Sequence, residues 1–372
     1  MNKVIWLLYG NPVFTASSRI HGLAVHNELL KRGFSSHIAY LPRFTEEEIP
    51  FMETIRGQFS SMVAEGDIII LQKLKKAANL PLLHYFRELG LQLVLIDCDL
   101  PLSEEIGSVA SKIICTSRAL RDRYAEKELP AVYIEDAPEL YKPFLEKKSG
   151  SHLYCYWFGD NTNQKWNEVR WLQQLFRDKR LSNWKLITIS NHRDATLRWS
   201  PDFLETFRHA DAVALPVAVD NEESSVKSAN RLLQSMALSL PVICSPLPSY
   251  NHVITSGDDG FICKTSEEWI QTLKLLEDAD ERREIGTRAF QTAMHFRLEE
   301  TISLWIKALG LDSDFQTQDL KEVKRIQHLL NIFFYRSLVI RNPNYWRNLP
   351  VSFSNFFLVL SSVSRKIRKR LS

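Results

Sequence analysis

The chain has 372 residues, 45% hydrophobic and 24% charged, with 13 glycines and 15 prolines. That mix excludes wholesale disorder and collagen-like repeats, and at about 150 residues per domain the length accommodates two domains and an appendage. The formal net charge of +3 belongs to the C-terminus, where eleven lysines and arginines between 315 and 372 face only Asp319 and Glu322; the remainder is net acidic, which excludes whole-protein nucleic-acid binding.

From the N-terminus, short apolar runs alternate with amphipathic stretches. Val4–Tyr9, His37–Leu41, Asp67–Leu71, Leu91–Ile96, Lys112–Cys115 and Ala131–Ile134 read as strands. They are apolar at nearly every position, as strands covered on both faces of a parallel sheet must be. Ser18–Arg32 reads as a helix with Ile20, Leu23, Ala24, Leu29 and Leu30 as its apolar stripe, Ser17 or Ser18 as N-cap and Gly33 as its stop. Residues 136–152 have linker composition (Asp136-Ala137-Pro138, Pro143, Lys147-Lys148-Ser149-Gly150). The alternation then resumes, with strands expected at Leu153–Phe158, Trp184–Ile189, Ala212–Leu215, Pro241–Cys244 and Gly260–Cys263. Helices are expected near 164–178, 201–209, 224–238, 266–277, 280–295 and 298–309.

This pattern predicts an α/β fold of two Rossmann-like, doubly wound parallel-sheet domains, 1–140 and 151–312, facing across a cleft. Ligands of such sheets bind beyond the carboxyl ends of the strands. Residues 313–372 form a third, basic region carrying Phe333, Phe334, Tyr335, Tyr345, Trp346, Phe353, Phe356 and Phe357. That composition suits an interfacial membrane segment and equally a segment packed back on the body. No apolar run reaches the ~18 residues of a membrane span, and Val4–Tyr9 falls short of the ~7–15-residue core of a signal peptide. Five scattered cysteines (Cys98, Cys115, Cys155, Cys244, Cys263) suit reduced thiols in the cytoplasm.

Neither G-x-G-x-x-G nor G-x-x-x-x-G-K-[ST] occurs, so no nicotinamide fingerprint or P-loop is predicted. H-E-x-x-H and C-x-x-C are also missing, and His21 and His26 on an α-helix point roughly 140° apart. Asp97-Cys98-Asp99, at a strand end, reads either as a divalent-metal pair or as hydrogen-bond acceptors. Two strand-to-helix turns, Gly10–Arg19 and Trp157–Lys165, offer free N–H groups to an anion. The sharpest stretch is Pro216–Tyr250. As a helix from Ser224, it places Val226, Ala229, Leu232, Leu233, Met236 and Ala237 on one core-facing stripe. Lys227, Arg231 and Gln234 fall on the other face with Asn230 beside them, preceded by Asp220, Glu222 and Glu223. By periodicity alone this is equally a solvated face with a Glu223–Lys227 pair contributing roughly 0.2–0.5 kcal/mol.

The segment Gln234-Ser235-Met236-Ala237-Leu238-Ser239-Leu240-Pro241-Val242-Ile243-Cys244-Ser245, followed by Pro248-Ser249-Tyr250 and Gly257-Asp258-Asp259-Gly260-Phe261, resembles the donor-binding domain of the GT-B-type glycosyltransferases. The likeness is to their retaining group 1 (family four) class. It extends over 153–309, including a final helix that returns toward the first domain, and more loosely over 1–135. There are departures. The family's two acidic residues eight positions apart fall on Val226 and Gln234, and its first-domain His on Gln72 or Lys73. Lys227-Ser228-Ala229-Asn230-Arg231 looks closer to a subgroup signature.

The resemblance implies transfer of a sugar from a nucleotide diphosphate sugar to a glycan or lipid-linked acceptor, with retention. It implies no metal or other cofactor, the nucleotide sugar being a co-substrate. Lys227 and Arg231 would neutralise the diphosphate, with Glu222 and Glu223 at the sugar hydroxyls. Gly159, Asn163, Ser190, Asn191, Ser224 and Asn230 would border the donor, and Ser17, Ser18, Arg19 and Gln72 would face the cleft from the acceptor side. The expected location is the cytoplasm, at the inner face of the membrane if the tail meets lipid. Three other readings stand beside this one. They are a catalytically inactive nucleotide-sugar binding protein, a sugar-nucleotide epimerase of the same fold, and a metal-dependent transferase using Asp97 and Asp99.

Overall fold

The computed structural model describes residues 2–41, 62–73, 77–99, 104–143, 152–160, 162–218 and 222–311; Asp220, part of the 136–152 linker and the basic tail lie outside the described residues. The first lobe is built on β1 (Val4–Leu7), β2 (Ser36–Tyr40), β3 (Ile68–Gln72), β4 (Gln92–Asp97), β5 (Lys112–Cys115) and β6 (Ala131–Tyr133). These six strands lie in the order β2-β1-β3-β4-β5-β6, every neighbour parallel. The second lobe is built on β7 (Leu153–Phe158), β8 (Trp184–Ser190), β9 (Leu197–Arg198), β10 (Ala212–Leu215), β11 (Val242–Cys244) and β12 (Phe261–Ile262). Their order is β12-β11-β10-β7-β8-β9, again all parallel.

Alternate side chains of each strand enter cores on opposite faces of its sheet, which is why the strands are apolar throughout. Ile5, Leu7, Ile69, Leu71, Leu93 and Leu95 fill one layer of the first lobe, while Val4, Trp6, Ile68, Ile70, Val94 and Ile96 fill the other. Tyr156 and Phe158 likewise face one core of the second lobe, and Cys155 and Trp157 the other. The strand order reverses between β1 and β3 in the first sheet and between β7 and β10 in the second. At such reversals the loops leave in opposite directions and open a ligand-sized gap at the carboxyl ends.

Two helices differ from expectation. The first opens as a π-helical stretch, Ser18–Ala24, before the α-helix Val25–Lys31. Its wider turn brings residues five apart onto one side. His21 and His26 are both buried, on Asp136 and Ser36 respectively, whereas Leu23 and Ala24 are only partly covered, and Ser17 makes no side-chain cap. The helix expected over 224–238 is two pieces, a single turn at Glu222–Ser225 and the helix Asn230–Met236. Val226 and Ala229 are both buried, but in different places: Val226 sits with Leu120 and Tyr124 of the first lobe, Ala229 in the second lobe's core. One apolar periodicity thus serves two cores.

The last helix, Leu298–Ala308, crosses back to the first lobe. Its Ile302, Trp305 and Ala308 pack with Val4, Trp6 and Leu8, the Trp6 and Trp305 rings 6.5 Å apart. The chain therefore passes between lobes after β6 and again before this helix. The described ends of the two passes meet where the backbone of Leu298 comes against the Tyr141 hydroxyl. All five cysteines are free thiols. Among the described residues no helix is long and apolar enough to cross a membrane.

Candidate functional site

At the reversal point of the second sheet, β7 carries Trp157 and Phe158 to the turn at Gly159. A side chain at Gly159 would come within 2.8 Å of the Trp157 ring, so only glycine lets the backbone pass there. The Arg231 guanidinium lies over both rings, 5.3 Å from Trp157 and 5.5 Å from Phe158. Glu168, on the helix Asn163–Leu175, accepts from Arg231 Nη1 at 3.2 Å, from Lys165 Nζ at 2.6 Å and from the Trp157 indole at 3.3 Å. The Nε and Nη2 donors of Arg231 are buried with no hydrogen-bond partner, a costly state unless an acceptor arrives. Burial, and after it the neighbouring Arg231, hold the Lys165 ammonium below its ordinary pKa despite Glu168. Two cations around one carboxylate leave this place short of negative charge.

The first sheet contributes from its own reversal point. Lys73 follows β3, and its backbone lies in the left-handed region at φ 50, which side chains other than glycine rarely adopt. Its ammonium stands 2.9 Å from Asp99 Oδ2 and over the Tyr9 ring. Lys227 of the second lobe meets the other oxygen of the same carboxylate at 2.6 Å. Burial works to raise the Asp99 carboxyl, but the two lysines outweigh it and hold it well below the usual range. Burial likewise opposes the Lys73 charge, which Cys98 and Asp99 nonetheless hold above its ordinary value. Asp97 is turned elsewhere, accepting from the Tyr124 hydroxyl and the Cys98 N–H. Among the described residues no cluster of three His, Cys, Asp or Glu side chains is arranged for a metal ion.

Between Lys227 and its neighbours the strap 222–229 is fastened to the first lobe and the segment that follows it. Arg123 pairs with Glu222 at 2.6 Å and donates to Ser225 Oγ at 3.1 Å, and Ser117 Oγ donates to the Val226 carbonyl at 2.6 Å. Ser228 Oγ donates to Asp136 at 2.6 Å, whose other oxygen is joined to His21 Nε2. The Ala229 N–H reaches Glu135 at 3.3 Å. Burial first and Asp136 second push the Glu135 carboxyl upward.

The other residues singled out by sequence have definite places. Gln72 donates to the Ser17 carbonyl at 3.0 Å and accepts from Tyr9 N, while Ser18 Oγ accepts from Gly10 N at 3.0 Å, so together they shape the turn after β1. Arg19 is paired with Glu139 and also donates to the Pro12 carbonyl. Ser190 Oγ ties the loop after β8 to that after β7 by donating to the Asp160 carbonyl at 3.0 Å, and Asn191 is exposed. Asn163 opens the helix that carries Lys165 and Glu168. Ser224 is buried within the single turn, Glu223 is exposed, and Asn230 and Gln234 each keep a buried amide nitrogen without a partner. The helix N-terminus expected near Ser224 is thus one turn only. The sequence did not single out Lys165 and Glu168 as site residues, and offered Asp99 as a metal ligand or a hydrogen-bond acceptor and not as the partner of two lysines. The available signal was charged residues just beyond the apolar strands.

No family model and no curated protein sequence matches the chain. Solved structures do. The lipopolysaccharide outer core galactosyltransferase WaaB superposes with a TM-score of 0.57 at 12% identity, over 83% of this chain and 99% of that one. Anabaena HepE, solved with UDP, gives 0.55 at 13% identity, over 83% of this chain and 100% of that one. S. aureus TarM gives 0.52 at 9% identity over 65% of this chain, which spans about half (54%) of TarM's length. In fold, two parallel-sheet lobes in tandem, the chain is similar to these glycosyltransferases and has the GT-B architecture.

Proposed function

We propose that the chain is a glycosyltransferase, moving a sugar from a nucleoside diphosphate sugar to a glycan or lipid-linked acceptor. The observation that carries this reading is Arg231, lying over the Trp157 and Phe158 rings, fixed by Glu168, and left with two buried donors unfilled. A planar guanidinium with paired free N–H groups matches the oxygens of a phosphate. Cleavage at the anomeric carbon leaves positive charge on the sugar and negative charge on the departing diphosphate. Arg231, Lys165 and Lys227 supply the compensating cations, already oriented before that charge develops. Because side chains fill this role, sugar transfer is expected to persist in chelator. Retention of configuration is the stereochemical outcome expected from the sequence resemblance.

A thermal-shift panel of UDP-, GDP- and ADP-sugars tests the reading. A cognate donor at 100 times its Kd adds about 2.7 kcal/mol of stability; no shift with any of the three would end it. UDP is the natural first probe, since neighbours of this fold were solved with UDP bound. The basic, aromatic tail suggests an acceptor at an anionic membrane surface. Full-length chain should then co-sediment with phosphatidylserine vesicles more than residues 1–314 do. A second reading, a nucleotide-sugar binding protein without turnover, draws on Val226 standing where the family resemblance implies an acid and being buried in the first lobe. Tight UDP binding with no sugar transfer would favour it.

A further inference from the structure

Asp99 is held by ammonium groups from both lobes, one on each oxygen, at 2.9 Å from Lys73 and 2.6 Å from Lys227. This is how two lysines bridge any small oxyanion, and a phosphate offers them the same oxygen geometry. All three side chains stay partly open to solvent, so the ion pairs themselves contribute little to stability. What they do is place a negative charge among the cations that a diphosphate needs. Lys73 reaches that position from the end of β3, through a backbone conformation that costs energy, at the reversal point of the first sheet.

We infer that Lys73 is a further diphosphate-binding residue and that Asp99 is an internal stand-in, seated between Lys73 and Lys227 until the diphosphate displaces it. This rests on the glycosyl-transfer reading above. The displacement is an exchange of ionic partners with no covalent step. The two lysines leave the carboxylate for phosphate oxygens, and Asp99 turns to solvent. The consequence is an opposition of signs. Removing the Asp99 charge strengthens anion binding, whereas removing either lysine weakens it. A carboxylate that merely propped the lysines in place would give weakening in all three cases.

The test is calorimetric titration of the full-length chain with inorganic pyrophosphate and with UDP, each variant's melting temperature confirming that it is folded. Asp99→Asn is expected to bind both probes about tenfold more tightly than wild type, and Lys73→Gln about tenfold more weakly, as the loss or gain of one nearby charge in a partly desolvated site predicts. The double variant should return close to wild-type affinity. If Asp99→Asn binds pyrophosphate no more tightly than wild type, the stand-in role is overturned while UDP binding by the wild type leaves the glycosyl-transfer reading intact. If Asp99→Asn does not fold, Lys73→Gln decides: unchanged pyrophosphate affinity overturns the inference. If neither wild type nor any variant binds either probe, the glycosyl-transfer reading fails and the inference falls with it.

Discussion

The hydroxyl of Ser117, in the first lobe, donates to the carbonyl of Val226, which enters from the second, at 2.6 Å. The same oxygen accepts from Leu120 N at 3.1 Å and so caps the helix Arg118–Ala125. Ser117→Ala removes a cap and leaves a buried carbonyl unpaired. The two losses together predict about 2 kcal/mol of destabilisation, read as a lower urea midpoint. A change under a quarter of that would mean the strap is not held through this hydroxyl.

Arg231 serves three geometric demands at once: a cation–π position over two rings, a bond to Glu168, and two donors left for a ligand. An ammonium meets only the charge. Arg231→Ala is expected to lower kcat/KM for the cognate nucleotide sugar by about 100-fold, and Arg231→Lys should recover little of it. Steady-state kinetics of the two variants checks this, and full activity in the lysine variant would rule out the guanidinium's special role.

His26 makes the protein sensitive to mild acid. Burial, and after it His37, lower its pKa from 6.5 to about 4. Its Nδ1 meets Ser36 Oγ, which also accepts from the Trp6 indole, both at 2.8 Å. A histidine whose folded pKa lies below its unfolded one contributes stability that is complete above 6.5 and is lost as pH falls toward 4. The loss approaches about 3 kcal/mol. Urea titrations at pH 7 and pH 4.5 should show the wild type losing more than His26→Gln; parallel losses would contradict the assignment.

The strands were legible because burial on both faces writes an uninterrupted apolar run, and eleven of the twelve among the described residues lie within two residues of their expected ends. The exception, β9 (Leu197–Arg198), is two exposed residues at a sheet edge and leaves no such run. The break in the helix around Val226 was invisible for a different reason. Its apolar spacing is helical, but spacing does not tell which core a residue enters. The ion pairs were hidden by distance along the chain, since Asp99 and Lys227 meet across 128 residues and Glu168 and Arg231 across 63. The π-helical stretch Ser18–Ala24 left no mark either, since its apolar spacing reads equally as an α-helix.

The contact between Tyr141 and Leu298 has a mechanical meaning. It ties the described ends of the two interlobe passes to each other, so a separation of the lobes must load this place. The row of fastenings from Glu222 to Ala229 is a second tie between them. If a diphosphate draws Lys227 off Asp99 as proposed above, the change falls in the middle of that row, where it bears on the bonds to either side.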